Sequence, residues 1–336
     1  MKQRSILFYS SVSSKRQFST QGFYRTDIQL LRQMGFEVHL SNSWTDFLQF
    51  WRYDICFIYF YRYGLLPAMI GRIFRKKVFF TGGIDNLDRN YAGLKSFLVQ
   101  VIFFNLCGIF STRNIIVSQA DMDNCRKVGI LFNNNKNALV RHSIDLHRYL
   151  TSGYKSRPKM VTTIARMSWP ENVVRKGLIE SLELFATLHK LDPAFRMKII
   201  GAHGEGTDLV VSKIAALNLG SYVELTGELT EINKIEALKG SMFYFQLSKY
   251  EGFGIAAIEA LASGNVVVHS NEGGLREAVG VDGVIFEGDI QECAKHLFAI
   301  SSDSVKLQNY ADRGSLSVSR KYPNETRYTG LARLVL

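Results

Sequence analysis

The chain has 336 residues, of which 46% are hydrophobic and 21% are charged, and its formal net charge is +11. This composition is that of a globular protein and excludes a chain dominated by disordered or low-complexity segments. The length favours two domains of roughly 150 residues each. The four cysteines include no C-x-x-C pair, which predicts reduced thiols in a cytosolic protein rather than a disulfide framework.

The excess positive charge lies in the first half of the chain. Residues 1–150 contain 20 Lys and Arg against 9 Asp and Glu, whereas residues 151–336 contain 21 of each. Basic and apolar residues are mixed in RYGLLPAMIGRIFRKK (62–77), and a second apolar segment covers residues 94–110. This mixture favours an anionic membrane surface as a partner, although a solvated rim around a core helix gives the same pattern. A nucleic-acid partner is not expected, because no recognition motif accompanies the charge.

Neither a signal peptide nor a membrane-spanning helix is predicted. The amino-terminal apolar stretch, Ile6 to Tyr9, is too short for a signal peptide. The longest apolar run, FLVQVIFFNLCGIF (97–110), contains Gln100 and Asn105 and falls short of the ~18 residues that a span needs. The expected location is therefore the cytoplasm, with peripheral association at the inner face of the cell membrane.

Strand-like and helix-like segments alternate through the first half of the chain. A helix is predicted over residues 27–35, and the aromatic run FIYFYRY (57–63) is interpreted as a buried strand. Strands are predicted at residues 5–11, 36–42, 54–61, 77–83 and 114–119.

The pattern starts again after a polar linker, TSGYKSRPK (151–159). Further strands are predicted at residues 160–167, 195–202, 221–227, 242–248 and 265–271. Such alternation is typical of an α/β fold with parallel, doubly wound sheets. We therefore predict two such domains joined near residue 155, with a ligand bound at the carboxyl ends of the strands in the cleft between them.

The segment SKYEGFGIAAIEALASG (248–264) contains the strongest signal for chemistry. Gly252 and Gly254 form a predicted turn after a strand, and a helix is expected to begin near Ile255. The first N–H groups of a helix are unpaired and carry a partial positive charge, so the start of this helix is a candidate anion site.

Two carboxylates flank this helix start. Glu251 precedes it, and Glu259 lies in its second turn among apolar residues. Because an unpaired buried carboxylate costs several kcal/mol, Glu259 needs a polar partner, which we interpret as a bound ligand. With Glu251 in the turn, the two carboxylates are suited to accept hydrogen bonds from different sugar hydroxyls of one ligand, and less suited to act as a hydrolytic acid/base pair.

The same segment resembles the retaining glycosyltransferases of family 4. The family signature, E-G-F-G-x-x-x-x-E-A-x-A-x-G, reads EGFGIAAIEALASG here (251–264), and Gly273, Gly274 and Glu277 stand where the family has G-G-x-x-E. Three further segments match in order, at residues 163–185, 198–206 and 223–241. The resemblance covers residues 160–290 strongly and the first half more loosely.

The resemblance implies the GT-B fold, in which two Rossmann-like domains face a cleft. It implies an acceptor-binding domain over residues 1–150, a nucleotide-sugar-binding domain over residues 155–320, and a terminal helix over residues 321–336 that crosses back to the first domain. The implied activity is sugar transfer with retention, of the bacterial cell-surface polysaccharide or lipopolysaccharide type. The donor is a nucleotide-sugar, with a UDP-sugar favoured and a GDP-sugar possible, and the acceptor is a lipid-linked or other glycan. No metal ion and no further cofactor are expected.

The resemblance also implies roles for individual residues. Arg166 and Lys176 are expected on the donor diphosphate, Glu259 on the ribose and Glu251 on the donor sugar. Asp85 is a candidate for orienting the acceptor hydroxyl, so that the predicted catalytic set is Glu251, Arg166, Lys176 and Asp85. Donor binding is predicted for those first three with Gly201, Ser248, Gly252, Phe253, Gly254, Ile255 and Glu259, and an acceptor-side position for Gly22.

The first half departs from the family pattern in two places. The amino-terminal glycine loop is reduced to QGFYR, and the family histidine after the fourth strand is missing from KVFFTGGIDNLDRN (77–90). These departures support an alternative, a catalytically silent nucleotide-sugar-binding subunit of a membrane-associated polysaccharide assembly complex. The sequence DMD (121–123) is either an Asp-x-Asp metal site or part of a helix cap with Ser118, and the cap is favoured.

Overall fold

The computed structural model describes residues 3–129, 136–150 and 157–336. The chain forms two units, one comprising Met1–Ser143 with Asn324–Leu336 and the other comprising Ile144–Pro323. The predicted linker falls mainly on residues 151–156, which lie outside the described residues. Each unit is built on a parallel sheet, and the two are described in turn.

In the first unit, the described residues form a parallel sheet with the strand order β2-β1-β3-β4-β5-β6. Ile6 of β1 pairs with Val38 on one side and with Ile55 on the other. Every residue of β1 and β3 is buried, as expected for central strands of a parallel sheet covered on both faces. The strands are β1 (Ser5–Ser10), β2 (Glu37–Ser41), β3 (Ile55–Tyr59), β4 (Lys77–Thr81), β5 (Arg113–Ile116) and β6 (Asn137–Leu139).

Helices follow the strands of this unit. They are α1 (Gln17–Thr20), α2 (Gly22–Gln33), α3 (Tyr61–Ile73), α4 (Leu94–Phe110) and α5 (Gln119–Val128), together with the carboxyl-terminal helix Asn324–Val335. In the described parts of the chain, no helix combines the length and the apolar character that crossing a bilayer requires.

The sheet of the second unit has the order β12-β11-β10-β7-β8-β9 among the described residues. Read from β9 to β12, this is the doubly wound arrangement in which the chain first builds one half of the sheet and then the other. The strands are β7 (Met160–Ile164), β8 (Arg196–Ile200), β9 (Val223–Gly227), β10 (Phe243–Gln246), β11 (Val266–His269) and β12 (Val284–Ile285). The predicted fold class, α/β with two parallel doubly wound sheets, is confirmed.

The helices of the second unit surround an apolar core that includes Leu182, Phe185, Phe243 and Val268, all fully buried. They are α6 (Leu146–Tyr149), α7 (Pro170–Arg175), α8 (Leu178–Leu191), α9 (Thr207–Ala216), α10 (Glu231–Lys239), α11 (Ile255–Ala262), α12 (Leu275–Ala278), α13 (Ile290–Ser301) and α14 (Ser304–Lys321). The carboxyl-terminal helix of the first unit, α15 (Asn324–Val335), follows α14.

The structure differs from the sequence-based elements in three places. FIYFYRY is not one strand, because β3 ends at Tyr59 and α3 begins at Tyr61, with Phe60 between them at φ +70°. The edge strands β6 and β12 were not predicted, since three and two residues give no periodic pattern. Residues 144–150, expected in the first domain, belong to the second unit, where Tyr149 hydrogen-bonds to Glu231 and Glu259.

A fully buried ion pair holds α15 within the first unit. The guanidinium of Arg327 donates from Nε and Nη2 to the two oxygens of Asp27 on α2, with an Nη2–Oδ2 distance of 2.7 Å. Its Nη1 donates to the carbonyls of Val140 and Arg141, and Tyr59 donates its hydroxyl to Asp27. Both charged side chains have zero exposure. The planar fork of arginine therefore satisfies a buried carboxylate and two strand-end carbonyls at once.

Replacing Arg327 by Met should destabilise the protein, because Asp27 would remain buried without its cation. Removing one partner of a buried pair costs about 3–5 kcal/mol, which urea unfolding followed by circular dichroism would measure. Arg126→Met is the matched control, since Arg126 and Asp123 form an exposed pair worth at most about 1 kcal/mol. Equal losses in the two variants would contradict the importance given to the buried pair.

Candidate functional site

The predicted site residues of the second unit follow two neighbouring strands. In the sheet, β8 lies on one side of β7 and β10 lies on the other. The order in which the chain adds strands to the sheet therefore reverses direction between β7 and β10. Ligands of doubly wound sheets bind beyond the carboxyl ends of the strands at such a point. Arg166 lies two residues beyond β7, and the turn containing Glu251 begins just beyond β10.

The carboxylate of Glu251 is held by three side chains. Lys176 donates from Nζ at 2.6 Å, Gln246 donates from Nε2 at 3.1 Å and Ser248 donates from its hydroxyl at 3.3 Å. Burial acts to raise the pKa of Glu251, but the charges of Lys176 and Arg175 and these hydrogen bonds outweigh it, so that the pKa lies below its usual value. The structure therefore contains an ionised carboxylate, 16% exposed, at the end of β10.

Backbone contacts fix the turn that carries Glu251. Gly274 donates its N–H to the carbonyl of Glu251 at 2.6 Å, and Lys249 donates its N–H to the carbonyl of Arg175 at 2.8 Å. The glycine pair that follows the signature thus acts as a support for the glutamate turn. This contact gives a physical reason for the spacing between the two motifs.

The helix α11 begins immediately after this turn. Gly254 precedes it with φ +102°, and a Cβ at this position would lie 2.8 Å from a methyl carbon of Leu275, so the position requires glycine. No side chain caps α11. The N–H groups of its first turn are therefore suited to an anion, next to the ammonium group of Lys176.

Glu259 has protein partners, which corrects the interpretation that its partner arrives only with a ligand. Its side chain is 6% exposed. Lys234 on α10 donates to both of its oxygens at 2.8 Å, and Tyr149 on α6 donates to Oε1 at 2.7 Å. The buried carboxylate is thus compensated by a cation and a phenol that the sequence analysis did not single out.

The Tyr149 hydroxyl lies between two carboxylates. It is 2.7 Å from Glu231 and 2.7 Å from Glu259, and burial followed by the charges of Glu259 and Glu231 raises its pKa far above the usual range. A neutral phenol has one hydrogen to donate, so it serves one of the two carboxylates at a time. Cations complete the cluster, since Lys234 lies 3.3 Å and Arg148 3.7 Å from the carboxylate of Glu231.

Arg166 and Gly201 lie close together at the ends of β7 and β8. A Cβ on Gly201 would fall 2.0 Å from the carbonyl oxygen of Ala165, so the loop after β8 packs directly on the backbone that precedes Arg166. The Arg166 side chain is 44% exposed, and its nearest acid is Glu228 at 3.9 Å. The guanidinium is therefore accessible to an anionic ligand.

The remaining predicted residues lie in the first unit. Gly22 is the first residue of α2, and Asp85 opens a 3₁₀ turn after β4. Ser118 accepts a hydrogen bond from the Asp121 N–H at 3.0 Å, so the helix-cap interpretation of DMD is confirmed. Over residues 3–129, 136–150 and 157–336, no group of three or more His, Cys, Asp or Glu side chains is arranged to hold a metal ion.

The low pKa of Glu251 predicts a pH dependence of stability. Its contribution is fully present above the ordinary value of 4.5 and is lost as the pH falls through the lowered pKa. Glu251→Gln should therefore be less stable than the wild type at neutral pH, and its melting temperature should fall less steeply in acid.

Thermal melts of wild type and variant from neutral pH to pH about 3 would measure this difference. Glu272→Gln is the control, because Glu272 is exposed. Parallel melting curves for wild type and Glu251→Gln would show that the carboxylate contributes nothing through ionisation.

Comparison with known proteins finds similarity mainly in the second unit. Residues 154–315 match the family model described as "Glycosyl transferases group 1". A GDP-mannose:cellobiosyl-diphosphopolyprenol alpha-mannosyltransferase of Xanthomonas campestris is 29% identical over 134 residues, which are 40% of this chain and 34% of that protein. A glycogen synthase of Mycobacterium tuberculosis is 24% identical over 203 residues, 59% of this chain and 48% of that protein. The chain thus spans a third to a half of the length of these curated relatives.

A solved structure covers nearly the whole chain. The structure of Anabaena HepE in complex with UDP and glucose superposes with a TM-score of 0.76 and 18% identity, over 98% of each chain. At this identity the likeness establishes the fold, which is GT-B. Residues 154–315 are therefore similar to group 1 glycosyltransferases, and the fold of the chain is GT-B.

Proposed function

We propose that the protein is a retaining, metal-independent hexosyltransferase that moves a sugar from a nucleotide-sugar to a lipid-linked or surface-polysaccharide acceptor. The observation that carries this proposal is the pair of carboxylates at the start of α11, of which Glu259 is buried and Glu251 is 16% exposed. Glu251 lies before this helix and Glu259 within it, each held by a lysine and each next to neutral hydrogen-bonding groups. A nucleotide-sugar has two sets of hydroxyls separated by a diphosphate, and this arrangement complements it.

The ribose of the donor is assigned to Glu259. The Tyr149 hydroxyl lies 2.7 Å from Glu231 and 2.7 Å from Glu259, so two carboxylates meet at this phenol. Two ribose hydroxyls would donate to the carboxylate oxygens of Glu259, whose charge Lys234 balances. Tyr149 and Lys234 are thus positioning residues for the ribose.

The diphosphate is assigned to Lys176, Arg166 and the first N–H groups of α11. Lys176 is 2.6 Å from Glu251, and its ammonium group has three hydrogens, so it can contact a phosphate oxygen while it keeps that bond. Arg166 is accessible and has its nearest acid at 3.9 Å. Together with the helix start, these groups would neutralise the charge that develops on the leaving diphosphate.

The reaction then follows from positioning and charge. The bond between the anomeric carbon and the diphosphate breaks as the acceptor oxygen bonds to the same face of that carbon, and the acceptor proton passes to the departing phosphate. The ionised Glu251 would orient the donor sugar and stabilise the positive charge that develops on it. Asp85 would orient the acceptor hydroxyl, and Gly22 would line the acceptor side. Gly201, Ser248, Gly252, Phe253 and Ile255 would complete the donor site.

The names of similar proteins point to two donor bases. The Xanthomonas relative is named for GDP-mannose, and the Anabaena structure contains UDP; we favour a UDP-sugar and retain a GDP-sugar as the second candidate. That relative is also named for a diphosphopolyprenol acceptor. Together with the basic first half of the chain, this name supports a lipid-linked acceptor of the cell-surface polysaccharide or lipopolysaccharide type. It also supports a cytoplasmic location, with the protein peripherally associated with the inner face of the cell membrane.

The second candidate is a catalytically silent nucleotide-sugar-binding subunit of a membrane-associated assembly complex. It is motivated by the shortened loop around Gly22 and by the missing histidine after β4. Hydrolysis of a nucleotide-sugar or sugar transfer by the purified protein would exclude it.

A thermal-shift panel of UDP, GDP, ADP, CMP and their sugar conjugates tests the donor site. One nucleotide series should stabilise the wild type, by about 2.7 kcal/mol at a concentration 100 times the Kd. Glu259→Ala should lose most of this shift relative to its own unliganded melting temperature, because the ribose loses its acceptor. Glu259→Gln, which keeps the shape of the side chain, separates loss of charge from loss of folding.

Glu236→Ala is the matched control, because Glu236 is an exposed acid on α10. It should respond to the nucleotide like the wild type. The proposed donor site would be wrong if no nucleotide stabilised the wild type, or if Glu259→Ala and wild type shifted equally.

A further inference from the structure

Two neighbouring helices of the first unit expose apolar stripes. On α3 the exposed side chains Tyr63, Leu66, Met69 and Ile73 recur every three or four residues, and on α4 the stripe consists of Leu94, Leu98, Ile102, Leu106 and Ile109. Ile73 is 71% exposed and Ile102 54%. The two helices pack against each other, so their stripes lie side by side. Exposed apolar surface of this extent is unusual in a soluble monomer and marks an interaction site.

A cavity of about 290 Å³ opens at the beginning of these helices. Its polar lining comes from Arg62 on α3, Asn86 in the turn after β4, and Lys95, Ser96 and Gln100 on α4. Arg62 precedes Leu66, Met69 and Ile73 by four, seven and eleven positions and therefore lies on the same helix face. The cavity thus lies at the amino-terminal end of both apolar stripes.

The amide of Gln100 is unsatisfied in this cavity. Gln100 is 7% exposed, and its Nε2 is buried without a hydrogen-bond partner. An unmade hydrogen bond of this kind costs about 1–3 kcal/mol, and buried amides in proteins are otherwise almost always paired. Gln100 thus brings an unpaired donor to the lining of a polar cavity, where a ligand with acceptor oxygens would satisfy it.

The charges around the cavity select an anion. Arg62 and Lys95 line it, and no Asp or Glu does. Neither cation has an ion-pair partner within the part of the chain that the structure describes. The start of α4 has no side-chain cap, so its first N–H groups add to the positive potential. A phosphate group would meet two cations, the helix start and the Gln100 amide.

We propose that this cavity binds the phosphate headgroup of an anionic membrane lipid while the apolar stripes of α3 and α4 enter the outer part of the bilayer leaflet. The occupant is a lipid because the phosphate site and the exposed apolar side chains belong to one surface. A free anion would fill the cavity but leave the apolar side chains exposed to water. The proposal gives a defined site to the membrane association put forward above. It does not depend on sugar transfer.

Vesicle flotation of the full chain tests the proposal, with vesicles of phosphatidylcholine alone and of phosphatidylcholine mixed with phosphatidylglycerol. The wild type should float with the mixed vesicles. Gln100→Leu changes no charge and removes the amide, and it should weaken binding about tenfold. Its melting temperature should equal or exceed that of the wild type, because an unsatisfied buried donor is gone. Gln29→Leu, at an exposed position on α2, is the neutral control.

A second pair of variants separates the cavity from diffuse charge. Arg72→Gln removes one exposed cation from the other end of α3 and should weaken binding about fivefold, the effect expected of one charge near a membrane. Arg62→Gln and Lys95→Gln should weaken it more. The proposed site would be wrong if Gln100→Leu floated with the mixed vesicles as well as the wild type does. It would also be wrong if Arg62→Gln and Arg72→Gln lost equal amounts of vesicle binding.

Two further measurements complete the test. The first distinguishes a lipid phosphate from free phosphate, and the second distinguishes a failure of this proposal from a failure of the proposed enzymatic function. Inorganic phosphate, compared with chloride at equal ionic strength, should neither release the protein from vesicles nor raise its melting temperature; if it did both, the cavity would be a site for free phosphate. The nucleotide-induced thermal shift should be unchanged in Gln100→Leu. A protein that floats but responds to no nucleotide would retain the lipid site and lose the proposed donor site.

Discussion

The need to compensate buried carboxylates governs both units of this protein. Asp27, Glu251 and Glu259 are each withdrawn from water, and each is held by a cation from a distant part of the chain: Arg327, Lys176 and Lys234. An uncompensated charge in any of these places would cost several kcal/mol. Two of the pairs join helices, α2 with α15 and α10 with α11, and the third joins the residue after α7 to the turn before α11.

The pairs serve different purposes in the two units. In the first unit, all three guanidinium nitrogens of Arg327 donate to Asp27 or to two backbone carbonyls, and its side chain has no exposure, so the pair is structural. In the second unit, Lys176 and Lys234 bind their carboxylates next to neutral donors and close to a helix start. The arrangement in the second unit leaves hydrogen-bonding capacity for a ligand, whereas the Arg327–Asp27 pair, which has no exposure, offers none to a ligand. This difference distinguishes a candidate ligand-binding site from a structural contact in the core.

Local motifs could be predicted from the sequence, and contacts between distant segments could not. The turn around Glu251 and the start of α11 were predicted because glycine positions and the apolar helix are adjacent in the chain. Central strands such as β3 were recognisable as apolar runs, whereas edge strands of two or three residues gave no pattern. Tyr149 is 110 positions from Glu259 in the sequence, and Lys234 is 25 positions from it. No local sequence pattern could therefore predict that these two side chains contact Glu259. The cavity at Gln100 is likewise assembled from three elements, and the sequence showed only its basic and apolar composition.

The discontinuity of the first unit has a consequence for how the protein is made. The chain leaves this unit after Ser143 and returns to it at Asn324, so a nascent chain contains the entire second unit before it contains α15. Domains generally fold as units during synthesis. All of Ile144–Pro323 is therefore synthesised before Arg327, so Asp27 has no buried cationic partner until the second unit has been made. The amino-terminal unit, although its synthesis begins first, is completed only after the second unit has been synthesised.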